Sequence, residues 1–314
     1  MAECVETLSF LRASPVLIFV NFMAGRGRAR AYLPRIQKLF SSLEIAVQFV
    51  ATNGAEELES ATKHAISQGQ RVLLAMGGDG TFQALVNASF GTDALLGVLP
   101  VGGGNDFAAA LGIPRDPVKA AETILRGRPR RADLVRARTA DGRSRFYVGG
   151  GGVGLDAEAA RYASGAYRRF PGRFRYIAAA LRALAGYKGL EVRIEFPESE
   201  QSPVAARVLL AGALNTPTYG AGLRLAPGAT VHDGLLHVFL VDELNTIGVL
   251  KLLPRLVASG ELRTPRVKRW QVKCARISTD RPCLFHGDGE ILGPTPVEIE
   301  VIPGAVQVLA PATV

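Results

Sequence analysis

Short, continuous apolar runs alternate with helix-like stretches over the first 130 residues of the chain. The runs lie at 16–22, 45–51, 72–76 and 95–100, and such uninterrupted runs are typical of strands buried on both faces. Helical patterns occupy 31–43, 55–68 and 81–90 between them, with further helical signals at 107–111 and 118–126. This alternation predicts an α/β domain over residues 1–131, with a mostly parallel sheet covered by helices.

The pattern changes after residue 131 to strands separated by turns. Helical signals interrupt these strands only at 176–187 and 246–259. Many short strands with turn punctuation predict a β-rich sandwich or barrel over 132–300, and we expect a ligand cleft between the two domains. The predicted strands lie at 133–138, 145–148, 190–196, 204–214, 235–241, 271–279 and 297–302.

Composition and charge narrow the classes of partner and compartment. A net charge of +9 favours an anionic partner such as a nucleotide, a nucleic acid or an acidic membrane surface. Cys4, Cys274 and Cys283 lack metal-ligand spacing, and their odd number argues against a disulfide framework. No apolar run reaches the ~20 residues of a membrane-spanning helix, and the N-terminal stretch lacks the features of a signal peptide. We therefore expect a cytoplasmic protein that touches membranes only at their surface.

The sequence "GGDGT" at 77–81 follows a predicted strand and precedes a predicted helix. Its three glycines allow a ligand to approach the backbone closely, and a helix N-terminus favours an anion such as phosphate. No Lys-Ser or Lys-Thr follows, so the loop is not a Walker loop. Beside phosphates, the Asp79 carboxylate implies a bridging Mg²⁺. The alternative is a plain turn capped by Thr81.

A second glycine-rich turn, "VLPVGGGNDFAAALGIP", covers 98–114. It also follows an apolar strand, so both turns are expected to face the same crevice of the sheet. Asn105 and Asp106 are good helix N-cap residues, and simple capping is again the alternative.

Two further motifs lie in the second half of the chain. These are "LAPGATVHDGLLHVFLV" at 225–241 and "FHGDGEILG" at 285–293. Each contains an Asp-Gly pair that, taken alone, is more often a hairpin turn than a catalytic element. His232 has no second histidine at ligand spacing and is interpreted as a turn residue rather than a metal ligand.

Together the four stretches resemble the bacterial diacylglycerol kinase family, whose members are related to eukaryotic diacylglycerol and sphingosine kinases. The signature "GGDGT" is shared with NAD kinases and, more loosely, with phosphofructokinases. The resemblance implies a phosphofructokinase-like first domain, a β-sandwich second domain, and ATP with Mg²⁺ as cofactors. It also implies that the last strand, within 301–314, packs back onto the first domain.

The resemblance assigns a role to individual positions of this sequence. Asp288 matches the proposed general base, and Asp79 is the second catalytic carboxylate. Asp233, Thr230 and the backbone of Leu235 match a structural Mg²⁺ site. Nucleotide binding is assigned to Asn21, Thr52, Gly77, Gly78, Asp79, Gly80, Thr81, Gly103, Asn105, Asp106 and Glu290.

Four positions depart from the family pattern. Phe22 stands where proline is usual, Gly103 where Thr or Ser is usual, Ala84 where Glu is common, and Thr230 where Asp is typical. Gly103 and Ala84 suggest a second hypothesis, a catalytically weak nucleotide- or lipid-binding relative. An NAD kinase, which shares the signature, is a further alternative.

The leading hypothesis is a lipid kinase that transfers the γ-phosphate of ATP to a hydroxyl of a lipid such as diacylglycerol or a sphingoid base. In the stretch 161–187, Arg168, Arg169, Arg173 and Arg175 alternate with aromatic residues, which predicts attraction to an anionic membrane surface. A solvated helix face with core aromatics is the alternative for this stretch. No nucleic-acid partner is expected, and a homodimer is left open.

Overall fold

The computed structural model describes residues 2–164, 178–179, 182–184, 186–187, 189–220, 222–244, 248 and 264–312. The chain divides into two compact units. Unit 1 comprises Met1–Asp133 and Gly304–Val314, and unit 2 comprises Leu134–Pro303.

Unit 1 contains a parallel sheet with the strand order β15-β4-β3-β1-β2. The Gly304–Val314 segment contributes the last part of β15, where Gln307 and Val308 pair with Leu95 and Leu96 of β4. Strands and helices alternate along the chain, which is why neighbouring strands run parallel. The elements are α1 (Ala2–Ala13), β1 (Val16–Asn21), α2 (Ala29–Ser42), β2 (Val47–Thr52), α3 (Ala55–Ser67), β3 (Val72–Gly77), α4 (Asp79–Ser89), β4 (Leu95–Pro100), α5 (Asp106–Ala110) and α6 (Pro117–Leu125).

The centre of unit 1 is apolar on both faces of the sheet. Every residue of β3 and of β4 is buried, as expected for continuous apolar strands between helix layers. Helix α4 is buried on most of its surface, and its Phe82 ring stacks on Phe107 of α5 with 5.0 Å between ring centroids. This packing fixes the helix that follows the first glycine loop.

Unit 2 is mainly antiparallel. Its strands follow the order β14-β13-β7-β9-β8-β12-β15, with β10 pairing with β9 and β11, and β6 with β5. The elements are β5 (Arg128–Thr139), β6 (Ser144–Tyr147), β7 (Gly150–Gly154), α7 (Leu155–Ser164), β8 (Leu190–Glu195), β9 (Val204–Leu214), β10 (Leu236–Asp242), β11 (Val267–Val272), β12 (Cys274–Thr279), β13 (Leu284–Gly287), β14 (Glu290–Pro294) and β15 (Val297–Ala310).

Two apolar clusters form the core of unit 2. One joins side chains of β8, β9, β12 and β15 around the fully buried Tyr147 and Phe285. The other lies around Tyr219, Leu214 and Phe239. Aromatic side chains bury large areas and dominate such cores.

The predicted fold class is confirmed, and the predicted strands and helices of unit 1 are all present. Three differences stand out in unit 2. The single strand predicted at 271–279 is two strands, because the chain changes partners at Lys273: β11 pairs with β10, whereas β12 pairs with β8 and β15. Strand β7 was missed because glycine is depleted in strands. Strands β13 and β14 flank the Asp-Gly pair for which the sequence alone predicts only a hairpin turn.

The structure adds two helices that the sequence pattern did not predict, α1 and α7. Within the helix predicted at 176–187, the described residues 178–179 and 182–184 are helical. Of the helix predicted at 246–259 only residue 248 is described, and the basic-aromatic stretch 168–176 lies wholly outside the described residues. Among the described helices, none is both long and apolar enough to cross a bilayer.

Candidate active site

Strands β1 to β4 all end at the same edge of the unit 1 sheet. The last residues are Asn21 in β1, Thr52 in β2, Gly77 in β3 and Pro100 in β4. In open α/β sheets, ligands bind outside the carboxyl ends of the strands. The predicted nucleotide residues of the first half of the chain therefore share one edge of one sheet.

The Asp79 carboxylate connects the two glycine loops. Its Oδ2 accepts a hydrogen bond from the Asn105 backbone N–H at 2.7 Å, and its Oδ1 accepts one from the Phe107 N–H at 3.2 Å. Asn105 itself lies in the left-handed region with φ 59°, and its Nδ2 donates to the Gly102 carbonyl at 2.9 Å. Asp79 therefore fixes the shape of the second loop, a role that the sequence did not reveal.

Glycines allow the two loops to approach each other. A Cβ on Gly102 would lie 2.6 Å from the Gly78 Cα, and a Cβ on Gly77 would overlap the Thr81 side chain. Gly78 is different, because its φ of −100° and ψ of −172° are open to any residue. Within the described chain, its Cβ would meet only the Gly102 Cα, at an ordinary 3.4 Å. Internal packing explains Gly77 and Gly102, but it does not explain why residue 78 is a glycine.

Polar atoms near the same edge fit a polar ligand. Asn21 Nδ2 donates to Thr81 Oγ1 at 3.1 Å, and Asn21 Oδ1 accepts from the Met23 N–H at 2.9 Å. Thr52 Oγ1 and Asn105 Oδ1 are buried and have no hydrogen-bond partner within the part of the chain that the structure describes. Leaving such a group unpaired costs about 1–3 kcal/mol, which a bound nucleotide would offset.

The other predicted nucleotide positions lie in or beside the loops. Gly80 is in the first turn of α4, Gly103 is exposed, and Asp106 is the first residue of α5. In unit 2, Glu290 begins β14 and is exposed. Ala84 is only 1% exposed in the interior of unit 1, so a glutamate there would be buried.

Asp288 lies in the turn between β13 and β14, with a left-handed φ of 52°. Its carboxylate is held by three backbone N–H groups: Oδ2 accepts from Val148 at 2.7 Å, and Oδ1 accepts from Gly149 at 2.8 Å and Gly150 at 3.1 Å. A Cβ on Gly149 would lie 2.9 Å from Oδ1, so glycine gives the carboxylate its room. The turn has a fixed carboxylate rather than a freely rotating one.

Burial raises the pKa of Asp288 from 3.8 to about 6, and the three N–H donors lower it only in part. A carboxyl group with this pKa is mostly ionised at neutral pH and accepts a proton more readily than an ordinary aspartate. Oδ1 already accepts two hydrogen bonds, whereas Oδ2 accepts one among the described contacts. Oδ2 is therefore the atom suited to receive a proton.

The predicted structural Mg²⁺ residues form a turn that is closed by hydrogen bonds. Asp233 Oδ1 accepts from the Leu235 N–H at 2.9 Å, and Oδ2 accepts from the Thr230 N–H at 2.9 Å and faces His237 Nε2 at 3.0 Å. Mg²⁺ requires oxygen ligands, whereas the described neighbours of this carboxylate are nitrogen donors. These contacts do not fit the predicted Mg²⁺ site. No cluster of three or more acidic, histidine or cysteine ligands occurs among the described residues.

The hydrogen-bond partners of the Asp288 carboxylate were not predicted from the sequence. They come from "VGGGGVG" at 148–154, where a run of four glycines was the available signal. A buried group of three polar side chains near Asp288 was also not predicted; it is formed by Asp156, Tyr219 and His286. Nothing in the local spacing links these three positions, because the fold brings them together from distant parts of the chain.

Comparison with known families agrees with this arrangement. Residues 15–137 match the family described as "Diacylglycerol kinase catalytic domain", and residues 151–310 match that described as "YegS C-terminal NAD kinase beta sandwich-like domain". A solved structure of a diacylglycerol kinase from Bacillus anthracis superposes with a TM-score of 0.71 and 19% identity, covering 95% of this chain and 97% of that one. At this identity the likeness supports the fold alone.

Curated relatives support the same family at higher identity. A diacylglycerol kinase of Mycobacterium tuberculosis is 32% identical over 254 residues, which covers 79% of each chain. A probable lipid kinase YegS-like protein of Stenotrophomonas maltophilia is 28% identical and covers 82% of this chain and 84% of its own. The diacylglycerol kinase of Staphylococcus carnosus is 26% identical and covers 95% of both. This chain therefore belongs to the bacterial diacylglycerol kinase family of lipid kinases.

Proposed function

We propose that the protein transfers the γ-phosphate of ATP to a hydroxyl group of a lipid, with Asp288 as the general base. The observation that carries the proposal is the Asp288 carboxylate, which is fixed by three backbone N–H groups and has a pKa raised to about 6. A fixed carboxylate of this kind suits removal of a proton from an alcohol.

The glycine loops of unit 1 are the proposed phosphate site. A helix N-terminus such as that of α4 presents backbone N–H groups and favours negative charge. Gly78 leaves the backbone there uncovered, and Thr52 Oγ1 and Asn105 Oδ1 offer unused polar atoms. ATP would bring its own Mg²⁺, whose charge offsets that of the phosphates and of Asp79.

In the proposed transfer, the lipid hydroxyl donates its proton to Asp288 Oδ2 while its oxygen forms a bond to the γ-phosphorus. The bond from that phosphorus to the bridging oxygen breaks, and ADP leaves with the electron pair. Little covalent chemistry is asked of the protein, because positioning and charge neutralisation provide most of the catalysis of phosphoryl transfer.

A pocket of about 700 Å³ in unit 2 supports a lipid as acceptor. Its volume is within the range of small-molecule sites. Leu284 in its wall begins β13, and Asp288 directly follows the end of that strand, so about 13 Å of extended chain separates them. The lining combines apolar side chains with charged ones of both signs, which suits an amphipathic lipid: Ala157, Tyr162, Leu190, Leu284, Arg182, Arg281 and Glu158.

One assay compares the proposed function with its alternatives. The protein is incubated with γ-labelled ATP and, separately, diacylglycerol, a sphingoid base, phosphatidylglycerol, NAD or no acceptor. Label in an extracted lipid supports the lipid kinase. Label in NAD alone would support the NAD kinase, and binding of ATP without transfer to any acceptor would support the catalytically weak relative.

We also propose peripheral association with anionic membranes through the stretch 168–176. Each Lys or Arg near such a surface contributes about 1 kcal/mol, so Arg168→Glu/Arg169→Glu is expected to weaken binding to anionic vesicles roughly tenfold or more. Vesicle co-sedimentation measures this, and binding should also fall with salt, because the Debye length shrinks from about 10 Å at 0.1 M to about 3 Å at 1 M.

The matched control for this prediction is Arg115→Glu/Lys119→Glu, which makes the same change in net charge at two exposed positions of unit 1. An equal loss of binding in both double variants would show that only net charge matters. Equal binding to neutral and anionic vesicles would contradict the electrostatic account.

A further inference from the structure

Three polar side chains meet in the interior of unit 2, close to Asp288. The Tyr219 hydroxyl donates to Asp156 Oδ2 at 2.5 Å and lies 2.7 Å from His286 Nε2, while His286 Nε2 is 3.2 Å from Asp156 Oδ2. The side chains of His286 and Asp156 are only 6% and 10% exposed. The proposed phosphoryl transfer assigns no role to these three side chains.

The distances favour one arrangement of protons. Burial and the Asp156 carboxylate raise the pKa of Tyr219, so the phenol keeps its proton and gives it to Asp156. His286 Nε2 faces two oxygens, the Tyr219 hydroxyl and the carboxylate, and an N–H at Nε2 can serve both. We therefore place an N–H at Nε2. His286 Nδ1 is buried and has no hydrogen-bond partner within the described chain.

The glycine run of β7 makes room for this group. A Cβ on Gly152 would lie 2.5 Å from Asp156 Oδ2, and a Cβ on Gly150 would lie 2.8 Å from the Tyr219 ring. His286 pairs with Gly152 across β13 and β7. The N–H groups that hold the Asp288 carboxylate belong to Gly150, the first residue of β7, and to the two residues before it.

Asp288 is thus tied to the polar group by two short paths. Along the chain, only Gly287 separates it from His286. Across the sheet, its own N–H donates to the Gly150 carbonyl at 2.9 Å, and Gly150 packs against Tyr219. A change in the position of His286 will therefore change the position of the carboxylate.

We infer that His286 is a positioning residue for Asp288, held by Tyr219 and Asp156. The inference rests on the proposed function, in which Asp288 accepts the proton of the lipid hydroxyl. A buried imidazole whose Nδ1 has no hydrogen-bond partner among the described residues is destabilising, so ordinary packing of a sandwich core does not account for it.

The effect of His286 on the acidity of Asp288 has a defined sign, because its electrostatic contribution lowers the pKa that burial raises to about 6. The other titratable groups that act on Asp288 or share this group are Tyr147, Tyr219 and Asp156, and burial raises the pKa of both tyrosines well above their usual range. Loss of His286 therefore moves the acid-side fall in kcat to higher pH.

The test compares His286→Phe with His286→Gln in the full chain, using the lipid acceptor that the wild type phosphorylates. Misplacement of a reacting group by an ångström costs up to about 100-fold, so we expect His286→Phe to lower kcat roughly tenfold without changing the KM for ATP. The acid-side fall in kcat should also move to higher pH. His286→Gln, which keeps an N–H donor near the Nε2 position, should recover part of kcat but not the position of that fall.

Several results would overturn the inference. One is a loss of kcat in His286→Phe with an unchanged pH profile, which would show a structural role alone. Another is wild-type kcat in both variants. If His286→Phe does not fold, as judged by its thermal unfolding, Tyr219→Phe replaces it and should lower kcat without moving the pH profile, and wild-type kcat in that variant counts against the inference. Failure of the proposed function itself would be distinct, because the wild type would then phosphorylate no lipid.

Discussion

Replacing Asp288 by asparagine is expected to lower kcat for lipid phosphorylation by about two to four orders of magnitude. Asparagine fits the left-handed backbone at this position but has no basic oxygen at Oδ2. The affinity for ATP should change little, because the proposed phosphate loops belong to unit 1. Steady-state kinetics and calorimetric titration with ATP measure the two quantities separately.

Asp141→Asn is the matched control for this variant. Asp141 also precedes a glycine in a hairpin turn, but the Arg143 guanidinium and the Thr139 hydroxyl lower its pKa to about 2. The same chemical change there should leave kcat within a few-fold of wild type. Activity of Asp288→Asn within a few-fold of wild type would remove Asp288 as the base and leave Asp79 and Asp106 as candidates.

Substitution of Gly78 by alanine is expected to weaken ATP binding roughly ten- to hundredfold. The added methyl group meets only the Gly102 Cα at 3.4 Å among the described residues, so the protein itself accommodates it. A phosphate close to this backbone would be pushed away, and overpacking of this kind costs about 1–3 kcal/mol. Calorimetry of the variant measures the affinity, and its thermal unfolding should match that of the wild type.

Gly228→Ala provides the control for a glycine substitution in the other unit. No described atom lies within 4 Å of a Cβ on Gly228, so neither stability nor ATP affinity should change. Wild-type ATP affinity in a folded Gly78→Ala variant would place the phosphates elsewhere.

The sequence predicted unit 1 well because its signals are local. Continuous apolar runs define β3 and β4, and each is followed by a glycine-rich turn and a helix. It could not predict why Asp79 is an aspartate, since its hydrogen-bond partners lie 26 and 28 residues further along the chain. The contact of Asp79 with the second loop forms only when the two loops meet, and the periodicity of apolar residues does not predict such a meeting.

In unit 2, the pattern of apolar and polar residues predicted less of the structure. Strand β7 is almost entirely glycine, and its sequence resembles a loop because glycine disfavours strands. The N–H groups that bind Asp288 are 138 to 140 residues away from it in sequence. Even so, the motif "GDGE" identified Asp288 as a candidate, because the family resemblance carried information that composition and spacing do not.

The contacts of Asp233 fit the predicted Mg²⁺ site poorly for a chemical reason. The resemblance implied Mg²⁺ at Asp233, but here His237 lies 3.0 Å from the carboxylate and joins two backbone N–H donors. His237 is four positions after Asp233, and strand pairing of β10 with β9 and β11 sets its position. The sequence contained the histidine, but its contact with Asp233 became evident only from the fold.

The pH dependence of kcat, measured with a lipid acceptor at saturating ATP, tests the role of Asp288 most directly. Asp288 acts as a base only when it is ionised, and burial raises its pKa to about 6. We predict that wild-type kcat falls about tenfold per pH unit below roughly pH 6, and that the residual activity of Asp288→Asn lacks this fall. A wild-type kcat that stays constant down to pH 5, or an identical acid-side fall in Asp288→Asn, would contradict the account.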